Sequence, residues 1–290
     1  MGLSYKELRL MFKESDEKRD AGLKTPEDIV RIDNLVYGAD RDVNVMDIYY
    51  PKTAGGSIPA IVSIHGGGWV SGDKDRYQYY CMNLAQKGFA VINFNYHLAP
   101  EYKFPAPLFD IADLFRWLKK NSAEYSIDIN NLFLVADSAG VQIACHYLAC
   151  KNSRDLASRI GIDITDTDIK AAAFNCGVYD AAHHMETASK DDPIFLYAGE
   201  SERDLFDYMQ YIDNTFPPSY IATSCEDFLY ANAEPMCSRL RNKGAVCEMK
   251  VYGEKGDKEI GHVFHLKIRN PVARACNSEE CRFFQKYIEK

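Results

Sequence analysis

The spacing of apolar positions changes character along the chain. Residues 4–20 carry Leu8, Met11 and Phe12 at helical spacing among charged neighbours, which predicts an amphipathic N-terminal helix that packs over another part of the molecule. RIDNLVYG and VNVMDIYYP then read as two strands of a hairpin, split by the turn residues GADRD. From IPAIVSIHG onward the apolar runs AIVSI, FAVINFNY, NLFLVA, IKAAAFNCG, SYIATS and VCEMKVY alternate with helical stretches such as RYQYYCMNLAQKG, PLFDIADLFRWLKKN and EPMCSRLRNKG. Runs of this kind are strands buried on both faces, and their alternation with helices predicts an α/β fold with a mostly parallel central sheet flanked by helices. NPVARACNSEECRFFQKYIEK predicts a terminal helix. Residues 181–216 break the rhythm, being too long for a simple connection between strands, and predict an inserted helical lid.

Composition narrows the picture. With 290 residues, 47% hydrophobic and 26% charged, the chain can bury one large core. We expect a single domain over 1–290, with lid elements from 1–25 and 181–216. The formal net charge is −8 and the basic residues form no dense run, which excludes the electrostatic footprint of a nucleic-acid binder and favours a small-molecule substrate. No apolar run approaches the roughly 20 residues of a membrane span, and MGLSYKELRLMFKESDEKRD is too charged for a signal peptide. Gly2 invites a myristoylation reading, but Lys6 stands where serine or threonine is wanted. The nine cysteines contain no CxxC pair and lie mostly within apolar runs, as expected of buried thiols in a reducing compartment. The expectation is a cytoplasmic protein without a membrane partner, its oligomeric state open to a homodimer.

The chemistry begins at LVADSAG, residues 134–140, where a strand enters a helix through small residues. AxSxG differs by one methyl group from the GxSxG nucleophile elbow, in which a sharp turn exposes the serine hydroxyl. Ser138 is then either a nucleophile or a serine capping a helix. Ala136 is tolerable there if its φ is negative. Upstream, IHGGGW at 64–69 follows a strand; its glycines either form a plain turn or bring backbone N–H groups up to a developing oxyanion.

HGGGW, SGDK, NYHLAPE, FPAPLFD and DSAG, in that order and spacing, resemble the hormone-sensitive-lipase-like branch of α/β-hydrolase esterases, the acetyl esterases and carboxylesterases. The similarity covers about residues 40–265. It implies an α/β-hydrolase fold and an oxyanion hole from the amides of Gly67, Gly68 and Ala139. It also implies a serine, acid, histidine order in the chain. CEDFLY resembles the acid loop, making Asp227 the acid with Glu226 its rival. In GHVFHL, His262 matches the base, followed by Val263 and Phe264, with His265 its rival. The loop from Tyr252 to His262 is longer than in the family, and His97 stands where the family often has arginine. The implied reaction is cleavage of short-chain acyl esters by Ser138, His262 and Asp227 through an acyl-enzyme, without metal or organic cofactor. Acetylated sugars and aryl esters are candidate substrates. HGGGW and SGDK also resemble arylformamidases, and a ligand-binding relative that has lost turnover is a third reading.

Other residues are expected in supporting places. His183 and His184 read as lid surface, and His65 as a structural residue behind the oxyanion loop. Asp137 braces the elbow, and Phe195, Tyr197, Phe206, Tyr208 and Tyr211 read as lid core. Trp69 either lines a pocket or packs beneath the loop.

Overall fold

The structure, a computed structural model, describes residues 3–289, so Gly2 lies outside them, as do Met1 and Lys290. In chain order the elements are α1 (Tyr5–Asp20), β1 (Ile29–Val36), β2 (Val45–Pro51), β3 (Ile58–Ile64), α2 (Lys74–Ala85), β4 (Ala90–Phe94), α3 (Ala106–Asn121), β5 (Ile127–Asp137) and α4 (Ala139–Asn152). They continue with α5 (Arg154–Ile160), β6 (Ile169–Asn175), α6 (Ala181–Thr187), α7 (Ile194–Tyr197), α8 (Arg203–Phe206), β7 (Ser219–Ser224), α9 (Ala233–Asn242), β8 (Cys247–Tyr252) and α10 (Pro271–Gln285). Among the described residues no helix is long and apolar enough to cross a membrane.

The strands form one sheet in the order β1-β2-β4-β3-β5-β6-β7-β8. The β1–β2 hairpin is antiparallel and β2 meets β4 antiparallel, while every later pairing is parallel. Successive side chains on a strand point to opposite faces, and the core divides accordingly. Val62, Ile64, Leu132, Leu134 and Phe174 face a cluster with α3, α4 and α9. Ile61, Phe133, Val135 and Ala173 face a cluster with α2 and α10. The result is a sheet between two helical layers, with the carboxyl ends of β3, β5, β6 and β7 on one edge, where loops are free to carry chemistry. The run NLFLVA proves to be the second half of β5, whose first half pairs with the start of β3 across a register shift.

α1 forms through a capping box. Ser4 Oγ accepts from the Glu7 amide at 3.3 Å and the Ser4 amide donates to Glu7 Oε2 at 2.8 Å. No residue of α1 is buried, and Met11, expected on the packed face with Leu8 and Phe12, is 44% exposed. Polar anchors hold the helix instead. Arg9 donates to the carbonyls of Val70 and Ala99 and pairs with Glu101, and Arg19 donates to the carbonyl of Arg76.

Residues 181–216, expected as an inserted helical segment, hold the short helices α6, α7 and α8 and single 3-10 turns. Tyr197, Phe206 and Tyr208 are buried there, with Phe206 and Tyr208 packed about His146 of α4, so these aromatics are core as expected. Eight of the nine cysteines are buried and none is disulfide-bonded; Cys225 is exposed, contrary to the expectation of a buried thiol, because its turn faces solvent.

Candidate active site

Ser138 sits between the last residue of β5 and the first of α4, with φ 50° and ψ −123°. A non-glycine residue there is strained, and neighbours hold it: its amide donates to Asn175 O at 3.0 Å, and its carbonyl accepts from Val178 N at 3.1 Å. Gly140 lets α4 approach β3, since a Cβ there would stand 2.5 Å from the carbonyl oxygens of Ile64 and His65. Ala136 is absent from the positive-φ residues, so its methyl group is accommodated within the strand. Ser138 occupies the helix-cap position but its side chain makes no capping bond.

The hydroxyl goes elsewhere. His262 Nδ1 donates to Asp227 Oδ1 at 2.7 Å, which leaves Nε2 to accept from Ser138 Oγ at 3.0 Å. Asp227 follows β7, and its carboxylate also accepts from the Leu229 amide at 3.0 Å and the Thr223 hydroxyl at 2.8 Å. Burial would raise the Asp227 carboxyl, but the His262 hydrogen bond and charge, with those two donors, outweigh it and hold it below the usual carboxylate range. The rivals do other work. Glu226 bridges to Gly261 through its backbone and accepts from the Gly256 amide at 2.7 Å, bracing the loop that carries His262. His265 is buried edge-on against Tyr80, and burial pushes its imidazole down to about 3.

Gly67, Gly68 and Ala139 all border a cavity of about 330 Å³ that opens onto Ser138 and His262. Gly67 has φ 116° and a Cβ there would stand 2.1 Å from Ser71 O, so no other residue fits. Among the described residues, the amides of Gly67 and Gly68 donate to no protein acceptor. The Ala139 amide opens α4, where helical N–H groups have no partner within the helix.

Behind this loop the Gly66 amide donates to the Tyr77 hydroxyl at 3.0 Å and to Asp137 Oδ1 at 3.1 Å, while Tyr77 donates to Asp137 Oδ2 at 2.8 Å. Asp137 thus braces the elbow against the glycine loop. Burial pushes its carboxyl up to about 7, against the pull of Tyr77, His262 and the Gly66 amide. His65 stacks on Tyr96 at 4.1 Å and bonds Gly66 O at 2.8 Å. His97 bonds Asp110 at 2.9 Å and Asp40 at 3.3 Å.

The cavity wall includes residues that the motifs do not mark. α1 contributes Leu8, Phe12 and Asp16, and α2 contributes Arg76, which is bound to Asp73, Ser71 and Asp16. Trp69 both packs, stacked on Tyr197 with its indole N–H on Gln142, and lines the cavity. His183 is exposed as expected, but His184 is not surface: it is half-buried, bonded to Asp192 at 3.2 Å, and faces the cavity. Helical periodicity in 181–187 places the two on different faces, which is the only signal the sequence holds. Of the His, Cys, Asp and Glu side chains described, only Cys176, Asp227 and His262 cluster closely enough to hold a metal ion, with donor atoms within 4.8 Å of one another. The facing atoms of Asp227 and His262 are already joined by their own hydrogen bond.

A family model described as BD-FAE matches residues 46–234. The chain belongs to the BD-FAE family. Its fold is the α/β-hydrolase fold that the sequence resemblance implies. The matched region of the BD-FAE family contains Gly67, Gly68, Ser138, Ala139 and Asp227, while His262 lies beyond it. The chain is 27% identical over 205 residues to esterase LipQ of Mycobacterium tuberculosis, covering 70% of this chain and 46% of that protein. It is 28% identical over 215 residues to versiconal hemiacetal acetate esterase of Dothistroma septosporum, covering 68% and 65%. The matches therefore span less than two thirds of either relative. The solved structure of esterase B from Lactobacillus rhamnosis superposes with a TM-score of 0.88 at 23% identity, over 98% of this chain and 93% of that one, which shows the shared fold.

Proposed function

We propose that this BD-FAE family member is a serine carboxylesterase that cleaves short-chain acyl esters. The observation that carries the reading is the unbroken hydrogen-bond chain from Asp227 through His262 to the Ser138 hydroxyl, beside two glycine amides that have no acceptor among the described residues. Ser138 Oγ attacks the ester carbonyl carbon as its proton passes to His262 Nε2. Asp227 holds the imidazole in the tautomer that can accept it and stabilises the imidazolium. The carbonyl oxygen, now negative, is received by the amides of Gly67, Gly68 and Ala139, with the N-terminus of α4 adding a favourable dipole. Collapse returns the proton from Nε2 to the leaving alcohol and leaves Ser138 acylated. Water, deprotonated by the same nitrogen, then releases the acid and restores the serine. A cavity of about 330 Å³ bordered by Trp69, Val178 and Pro193 suits a small acyl group.

The test is hydrolysis of 4-nitrophenyl acetate and butyrate by the wild type and Ser138→Ala. The expected loss on substitution is on the order of 10⁴-fold or more in kcat. Equal rates for both proteins would overturn the assignment.

A further inference from the structure

We propose that Phe228 is the surface against which the leaving alcohol lies, and that it favours flat, apolar alcohols of the benzylic or aryl kind. The inference deepens the ester-cleaving reading and rests on it. Phe228 is 75% exposed, more than any other large hydrophobic side chain described, although it borders the cavity. A single exposed apolar residue is ordinary. This one lies with its ring centroid 4.1 Å from the His262 imidazole and the ring planes inclined by 39°.

The fold fixes Phe228 in place without burying it. On its N-terminal side the Asp227 amide donates to Ser224 O at 3.1 Å, and the Asp227 carboxylate is locked by His262 and Thr223. On its C-terminal side Leu229 is buried with its amide on Asp227 Oδ1, and the Tyr230 amide donates to Asp227 O at 3.0 Å. A ring carried on so fixed a backbone, with most of its surface in water, stabilises the core little. Its surface is available to a ligand.

Proton transfer decides which half of the substrate meets it. His262 Nε2 must hand its proton to the leaving oxygen, which therefore comes within about 3 Å of that nitrogen. The alcohol then extends past the imidazole, against which the Phe228 ring lies, and Val263 and Leu266 also line the cavity. These three offer hydrocarbon and no side-chain donor or acceptor. A polyhydroxylated alcohol lying against these three side chains would lose water there without hydrogen bonds from them in return, whereas a flat apolar ring gains an aromatic contact. The ring also covers one face of the imidazole in the imidazolium state that the reaction passes through.

Benzyl acetate and ethyl acetate share one acyl group, so they pass through the same acyl-enzyme, and kcat/KM compares only the step in which the alcohol is present. For Phe228→Ala the ratio of kcat/KM for benzyl over ethyl acetate should fall about fivefold to tenfold. Phe228→Leu, which keeps apolar bulk without a ring, should give an intermediate ratio. An unchanged ratio, with both esters slowed equally or not at all, would overturn the inference while leaving the ester reading standing. Failure of the wild type to cleave either ester in a Ser138-dependent way would overturn both.

Discussion

Tyr77 couples two loops that the proposed reaction uses together. Its hydroxyl accepts from the Gly66 amide and donates to Asp137, so it ties the start of the glycine loop to the residue before Ser138. Tyr77→Phe removes one buried hydroxyl and leaves Asp137, among the described residues, with the Gly66 amide as its donor. Such a loss costs about 1–3 kcal/mol, measurable by urea unfolding, and should lower kcat more than it raises KM because the loop rather than the pocket is disturbed. A loss confined to KM would contradict this role. At this scale the sequence was legible wherever chemistry demands a residue type. Ser138 was legible from the elbow pattern and Asp227 and His262 from the family resemblance, the three lie in one hydrogen-bonded row, and Ala136 fits because a strand supplies negative φ. Tyr77, His184 and Phe228 were not legible, since each acquires its role from a residue distant in the chain or from exposure, neither of which a motif encodes.

α1 and the 181–216 segment each bring residues to the wall of one cavity, by different means. α1 presents Leu8, Phe12 and Asp16 yet buries none of its residues, so its hold depends on Arg9 and Arg19 reaching backbone carbonyls across the fold. Arg9→Ala removes bonds to Val70 O, Ala99 O and Glu101 at the foot of the glycine loop. We predict a rise of about threefold to tenfold in KM for small esters, from an entropic cost of reseating the helix on the order of 1 kcal/mol, with kcat little changed. Steady-state kinetics separates the two, and a fall in kcat alone would show that α1 serves the elbow instead of the pocket. The helix itself was evident from its apolar spacing, but its anchors were not, because two guanidinium groups choose carbonyls that come near only after folding. Likewise 181–216 stood out by length, whereas its division into short helices follows from Tyr197, Phe206 and Tyr208 being drawn one by one into the core about α4.

Across the whole molecule, buried carboxyls set the response to pH. Glu280 of α10 lies against the inner face of the sheet, accepting from Asn175 and from Tyr80, and burial pushes it up to about 7. Its ordinary value is about 4.3. Between these values the folded protein holds more protons than the unfolded chain, so stability falls as pH rises through that window. Glu280→Gln keeps the shape, and the Tyr80 hydroxyl can accept where it formerly donated. The variant should match the wild type near pH 4.5 and exceed it by on the order of 1–3 kcal/mol at pH 8. Urea unfolding at the two pH values reads this directly, and the same difference at both would refute it. The layered α/β architecture was legible from alternating apolar runs, but the strand order was not, because such runs fix neither neighbours nor direction; the order was reachable only through the resemblance carried by HGGGW and DSAG. The central claim is that Ser138, activated by His262, forms a covalent intermediate. Intact-mass and peptide analysis after treatment with a short alkyl phosphonate ester tests it most directly. The account predicts one adduct per chain on the peptide containing Ser138, absent in Ser138→Ala and formed far more slowly in His262→Ala. An adduct on another residue, or undiminished labelling of Ser138→Ala, would contradict it.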